Sequence, residues 1–164
     1  MKNNRVLKRF ALCVTCIFGF TACNDNEGLH VSDSVQSAFI QKYGDVSGVG
    51  WECKQANYMV ADFWQDGKEL EAWFAVNEKW VLTEIDLEKS IDSLSEAVKI
   101  GFNTTDYAKS PYRLDNIDQI VRPSVFDVFI IEVERPEARN LILHFNVVGE
   151  LKEVPSDDYL AKNL

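Results

Sequence analysis

Apolar and polar residues alternate most sharply between Tyr58 and Asp86, where YMVADFWQDGKELEAWFAVNEKWVLTEID predicts three antiparallel strands joined by tight turns. Asp66-Gly67 between two alternating runs is a strong hairpin signal, because a two-residue loop of the primed type needs residues that tolerate positive φ. With those residues as the loop, pairing runs outward from the turn and the register is set. Phe63 then faces Leu70, Ala61 faces Ala72 and Met59 faces Phe74, which makes one face wholly apolar. The other face pairs Trp64 with Glu69, Asp62 with Glu71, Val60 with Trp73 and Tyr58 with Ala75. A two-residue turn within Asn77-Glu78-Lys79 puts Val81, Thr83 and Ile85 on the apolar face and Trp80, Leu82 and Glu84 on the other. A three-residue loop would exchange the two sets. One side of this sheet is expected to back onto a core, and the other to show aromatics beside a row of carboxylates.

Upstream, Ser32 or Ser34 can cap a helix to about Tyr43, with Val35, Ala38, Phe39 and Tyr43 at helical spacing and Gly44 as the stop. Val46 to Cys53 reads as a strand. Downstream, Asp92 or Ser93 is expected to cap a second helix to about Phe102. Its Leu94, Ala97, Val98 and Phe102 repeat the first helix's apolar positions at an offset of 59. Phe126 to Glu134 alternates again, with Phe129, Ile131 and Val133 against Val128, Ile130 and Glu132. Leu141 to Val147 sets Leu141, Leu143 and Phe145 against Ile142, His144 and Asn146, and beyond Gly149 a short last strand covers Leu151 to Val154. The strands repeat at an offset nearer 71, so about a dozen extra residues fall between Thr104 and Ser124. Ser110-Pro111 and Arg122-Pro123 break regular structure there, and a strand is expected around Ile117 to Val121. The expected fold class is α+β: a tandem repeat of helix plus antiparallel meander, 31–89 and 90–155. The two meanders join into one curved antiparallel sheet with both helices on one face and an open front.

The first residues change what counts as fold. Lys2, Arg5, Lys8 and Arg9 precede an apolar run from Phe10 to Phe20, too short to span a bilayer, so 1–22 reads as a signal peptide. Phe20-Thr21-Ala22-Cys23 resembles a bacterial lipobox, which implies cleavage before Cys23 and lipidation of that residue in the cell envelope, on the outer membrane. Phe20 departs from the usual Leu, and ordinary secretion is the alternative. Residues 23–30 are a flexible tether or an acidic export signal of the kind surface lipoproteins carry. Pro155-Ser156-Asp157-Asp158 ends the fold, and the tail that closes the chain can dock as a turn of helix.

Cleavage also shifts the charge. The chain has 17 Lys and Arg against 26 Asp and Glu; losing four basic residues leaves 13 against 26, which disfavours nucleic acid and anionic lipid as partners. Of four cysteines, two leave with the signal and Cys23 takes the lipid, so Cys53 is expected to lack an intramolecular partner, as a buried small hydrophobe or a reactive thiol.

Candidate chemistry collects on the front. Asp62, Glu71 and Glu84 form a row across three strands, and like charges directly opposite are unfavourable. A nearby Lys or Arg, solvation, or a hard cation such as calcium would offset them; as an acid/base pair for glycoside cleavage they would lack water exclusion. Tyr58, Trp64, Trp73 and Trp80 share that face, either covered by a neighbouring segment or forming a contact surface for a protein, peptide or glycan. His30 and His144 lack paired ligands at metal spacing, and no nucleophile–base constellation or phosphate loop appears. Neither a catalytic residue, a metal site nor a cofactor is assigned.

Val49-Gly-Trp51-Glu52, the hairpin from Ala61-Asp-Phe63 to Glu71-Ala-Trp73-Phe74, and Trp80-Val-Leu-Thr83-Glu84-Ile-Asp86 resemble the PepSY-like periplasmic or lipoprotein domains of Bacteroidetes. Those domains are similar in fold to the tandem beta-lactamase-inhibitor proteins. The resemblance covers roughly 31–154 and is firmer in the first half. It implies a concave sheet, which in the inhibitor fold grips a partner protein with aromatics and carboxylates. A non-enzymatic, lipid-anchored binding protein, in the form of a hydrolase inhibitor by fold analogy, is the function it implies, with a glycan-binding or calcium-dependent module as alternatives.

Overall fold

The structure, a computed structural model, describes residues 29–55, 57–137 and 139–154. The expected signal peptide, the Cys23 lipid site, most of the tether and the tail at 156–164 lie outside the described residues. The described chain forms one open antiparallel sheet of eight strands, in sequence order, with two helices. The elements are α1 (Asp33–Tyr43), β1 (Gly50–Lys54), β2 (Tyr58–Gln65), β3 (Lys68–Ala75), β4 (Trp80–Asp86), α2 (Glu96–Thr104), β5 (Arg113–Val121), β6 (Val128–Glu134), β7 (Leu141–Asn146) and β8 (Leu151–Val154).

Ser32 caps α1 by accepting from the Val35 N–H, and Gly44 ends it with a φ of 82 that a side chain would strain. β1 begins four residues later than the apolar pattern suggested. Gly48 just before it has a φ of 75, outside the extended range of a strand. The Asp66-Gly67 turn forms as expected, with φ of 52 and 77, and β2 pairs β3 in the register written above from Tyr58↔Ala75 to Gln65↔Lys68.

The next turn departs from expectation in two compensating ways. The Ala75 N–H bonds to the Lys79 carbonyl across Val76, Asn77 and Glu78, a three-residue loop with Glu78 at φ 68. Such a loop turns Trp80 onto the face of its partner Phe74. Between that pair and Trp73↔Leu82 the register then shifts, with Val81 as the extra residue of a bulge. The bulge restores Leu82, Thr83, Glu84 and Ile85 to their expected faces. Only Trp80 and Val81 change sides.

Three apolar clusters hold the sheet. Val31, Val35 and Phe39 pack on Ala61, Phe63, Leu70, Ala72 and Phe74. Leu94, Val98 and Phe102 pack on Ile117, Phe129, Ile131, Val133, Leu143 and Phe145. Ile85 packs against both, so the helices lie on one face. The third cluster, on the opposite face, joins Val60, Trp73, Leu82, Ile120 and Ile130 and contains no helix residue.

The second helix starts later than expected. Ser95, not Asp92 or Ser93, caps it, accepting from the Val98 N–H, and a 3-10 turn at Ile91–Ser93 precedes it. Its caps and buried positions therefore match α1 at Ser32 and Ser95, Val35 and Val98, Phe39 and Phe102, an offset of 63 (95 less 32) in place of 59. The pattern at 59 is one helical turn early, because apolar residues four apart occupy the same stripe.

Cys53 is disulfide-bonded, against expectation. Its partner lies outside the described residues, where Cys13, Cys16 and Cys23 all fall. The expectation had assigned those three to the leader and a lipid.

One close approach escaped the sequence pattern. α2 crosses the β7–β8 turn so tightly that a Cβ on Gly101 would sit 2.1 Å from the Gly149 carbonyl oxygen, and one on Gly149 would sit 2.2 Å from the Ala97 carbonyl oxygen. Backbone meets backbone there, so neither can yield cheaply. Gly101→Ala should destabilise the fold by about 3 kcal/mol in a urea melt. Gly50→Ala, whose Cβ would meet nothing nearer than 3.8 Å, should change stability little beyond propensity. Equal stability of Gly101→Ala and the parent would contradict this packing.

Candidate functional site

The front face is built from the side chains of β1 to β7 that point away from the helices. Pairing places Val60, Trp73 and Leu82 side by side, with Ile120 and Ile130 continuing the apolar stripe onto β5 and β6. Five strands' worth of apolar side chains cover one another. Trp73 is consequently 0% exposed, and its indole N–H meets no acceptor among the described residues. Tyr58 packs against it at a ring distance of 5.9 Å, and the Lys54 ammonium lies 5.3 Å from its ring centre. Trp73 is on the expected face, but as the centre of a small core and not as exposed surface.

Trp80 is on the other face. Its indole N–H donates to Thr83 Oγ1 at 3.0 Å, the Lys42 ammonium of α1 sits 3.3 Å above its ring, and it packs with the α1 cluster. Tyr43 also bonds to the Thr83 hydroxyl, and burial pushes its phenol up to about 12. This residue locks α1 to the sheet.

Trp64 remains outside, 61% exposed, beside the two-residue turn. It lines a cleft of about 320 Å³ together with Lys68, Glu69, Asp86, Glu88 and Ser90. Tyr58 is half-buried.

The acidic row is as expected, and longer. Glu71 stands opposite both Asp62 and Glu84, and Glu69, Asp86 and Asp118 extend the carboxylates beside them. Lys54 Nζ bridges Glu71 Oε2 at 2.6 Å and Glu52 Oε1 at 2.9 Å, so β1 supplies the cation that the row needs. Burial opposes the charge on Lys54, but Glu71 and Glu52 outweigh it and raise its pKa. Asp62 gains less: burial, then Glu71 and Glu52, hold its carboxyl above its ordinary value despite Lys54. Sequence pattern missed Lys54 and Glu52 because the expected strand stopped at Cys53 and was paired with no neighbour. Counting back across the turn from Tyr58, which pairs with Lys54, could have found them. On β7, burial first and then Lys152 and Arg122 bring His144 down to about 4, which keeps it neutral near pH 7.

Solved structures share this architecture. A BLIP-like protein from Bacteroides fragilis is 32% identical, with 79% of this chain and 92% of that one covered and a TM-score of 0.68. A DUF2874 family protein from Bacteroides ovatus is 27% identical over 80% of this chain and 94% of that one, at a TM-score of 0.70. Another from Bacteroides uniformis, 24% identical over 80% and 96%, shares the fold at 0.71. No family profile and no curated protein matches the chain.

Two substitutions test the electrostatics. Lys54→Met leaves Glu52 and Glu71 without the cation they share and should cost about 1–2 kcal/mol, discounted for partial exposure. Asp62→Asn should stabilise at pH 7 by a few tenths of a kcal/mol to about 1 kcal/mol. A raised folded pKa means that the Asp62 contribution is full below its ordinary value of 3.8 and lost as pH rises through the folded value. The gain from Asn should therefore fade as urea melts are taken down to pH 3. A gain that persists there, or a loss at pH 7, would contradict the assignment.

Proposed function

The chain belongs to the family of the BLIP-like protein of Bacteroides fragilis, and on that premise we propose that it is a non-enzymatic envelope protein whose front sheet face binds a protein or peptide. Inhibition of a hydrolase is the form that binding would take if the likeness extends to activity. The observation that carries the proposal is Trp64, a large aromatic 61% exposed at the edge of a carboxylate row on an otherwise packed face. Such a residue beside ordered charge is the kind that anchors protein contacts. The binding surface would be Trp64 and Tyr58 with Asp62, Glu71 and Glu84, and Trp73 would act beneath it as support. Trp80 has no direct part.

Its leader pattern supports an anchor at Cys23 in the outer membrane, on the periplasmic or surface side. No described helix is long and apolar enough to cross a membrane. Cleavage before Cys23 would carry away Cys13 and Cys16 and a lipid would take the Cys23 sulfur, so the anchored form excludes the Cys53 disulfide within this chain. The common 63-residue offset of caps and buried helix positions supports 31–89 and 90–155 as two copies of one PepSY-like unit. A glycan platform would want several open tryptophans on the front, and only Trp64 is available. Lys54 offsets Glu71 within the row, which leaves the calcium alternative to Asp62 and Glu84.

Trp64→Ala should fold normally, because little of the side chain is packed, and should lower capture of a partner from envelope extract by about tenfold. Ile40→Ala, on the outer side of α1, should leave capture unchanged. Equal capture by the parent and Trp64→Ala would remove the front face from the binding reaction.

A further inference from the structure

We propose that one rim of the sheet rests on a lipid surface through the tips of three turns. Because neighbouring strands are antiparallel and in sequence order, the β1–β2, β3–β4, β5–β6 and β7–β8 connections lie along the same rim. Val76 in the second of these, Val125 and Phe126 in the third and Val148 in the fourth are among the most exposed large apolar residues described, Phe126 at 82% and Val76 at 74%. These loops are two strands apart, so the tips recur about every 10 Å along the rim. Single exposed apolar residues need no explanation, but a row of them on consecutive turns of one rim does.

Two observations favour lipid over protein as the occupant. The first is where the described chain begins. The Gln65 side chain, at the opposite rim, donates to the Tyr43 carbonyl at the end of α1. Phe39, one turn earlier, packs on Phe74, nearer the apolar tips, so α1 runs back toward that rim over about 16 Å and the chain enters it from that side. Cys23 precedes Leu29 by six residues, which reach at most about 20 Å. A lipid on Cys23 would hold the bilayer on that side; this inference rests on the anchor proposed above. The second observation is charge. The three loops together carry two basic and three acidic residues, close to neutral on a strongly acidic chain, so this rim meets a zwitterionic bilayer with little repulsion. The front face, with Glu52, Asp62, Glu71 and Glu84, would be repelled, and this orientation leaves it open to a partner.

The test uses the full gene expressed in a Bacteroides host, with the chain purified as the cell processes it and placed in phosphatidylcholine vesicles with and without brominated acyl chains. Phe126→Trp should gain a blue-shifted emission in plain vesicles and lose most of that added signal in brominated ones. Trp64, at the far rim, should report no difference between the two. Intact mass in the same preparation reads the anchor separately. A lipidated chain whose Phe126→Trp signal ignores the bromines overturns the inference while leaving the anchor standing. A chain without lipid mass overturns the anchor and this inference with it. A Phe126→Trp signal that ignores vesicles but shifts with envelope protein would make the rim a protein contact and overturn the lipid assignment.

Discussion

The turn at Asp66-Gly67 is the constraint on which the rest of the first half depends. Both residues hold positive φ, which matches the twist of the flanking strands and admits one register only. That register sends Ala61, Phe63, Ala72 and Phe74 toward α1 and Asp62, Trp64, Glu71 and Trp73 toward the front. A slip of one residue would bury the carboxylates under the helix. The cost of that state, several unpaired charges in an apolar cluster, makes the register cooperative with helix docking.

The front face shows how a small irregularity decides what a surface can do. A three-residue loop alone would have inverted β4 and turned Glu84 into the α1 core. The Val81 bulge corrects the inversion after two residues, and the net effect is to transfer one tryptophan from front to back. Trp80 in its new place ties α1 to β4 through Lys42 and Thr83. The vacated front position goes to Val81, which joins the stripe around Trp73. Aromatic area that would have been surface becomes packing, and Trp64 is left as the exposed aromatic beside the acids.

The strands, their faces and the first helix were legible because each rests on a local signal: alternation, the Asp-Gly turn, a serine cap followed by apolar residues at helical spacing. Trp80's side was not, since it depends on one extra residue whose place among Val76 to Leu82 leaves no mark in the alternation. Trp73's enclosure was not either. Ile120 and Ile130 lie 47 and 57 residues beyond it, and only the pairing of β4 with β5 brings their strands alongside. Lys54 was hidden because the expected first strand ended one residue before it and was paired with no neighbour. The close contact of Gly101 with Gly149 has no periodic signature, since it is a contact between backbones. Cys53 escaped because counting assigned every other thiol elsewhere.

A front face whose only open tryptophan is Trp64, with Trp73 sealed beneath its neighbours and Trp80 turned to the helix side, is the central claim. Acrylamide quenching of tryptophan emission in the folded chain and in Trp64→Phe tests it most directly. The steep, readily quenched part of the emission should disappear with Trp64, leaving a shallow slope from the remaining indoles. A slope as steep in Trp64→Phe as in the parent would show another of the three remaining indoles, Trp51, Trp73 or Trp80, open to solvent, and would contradict the account.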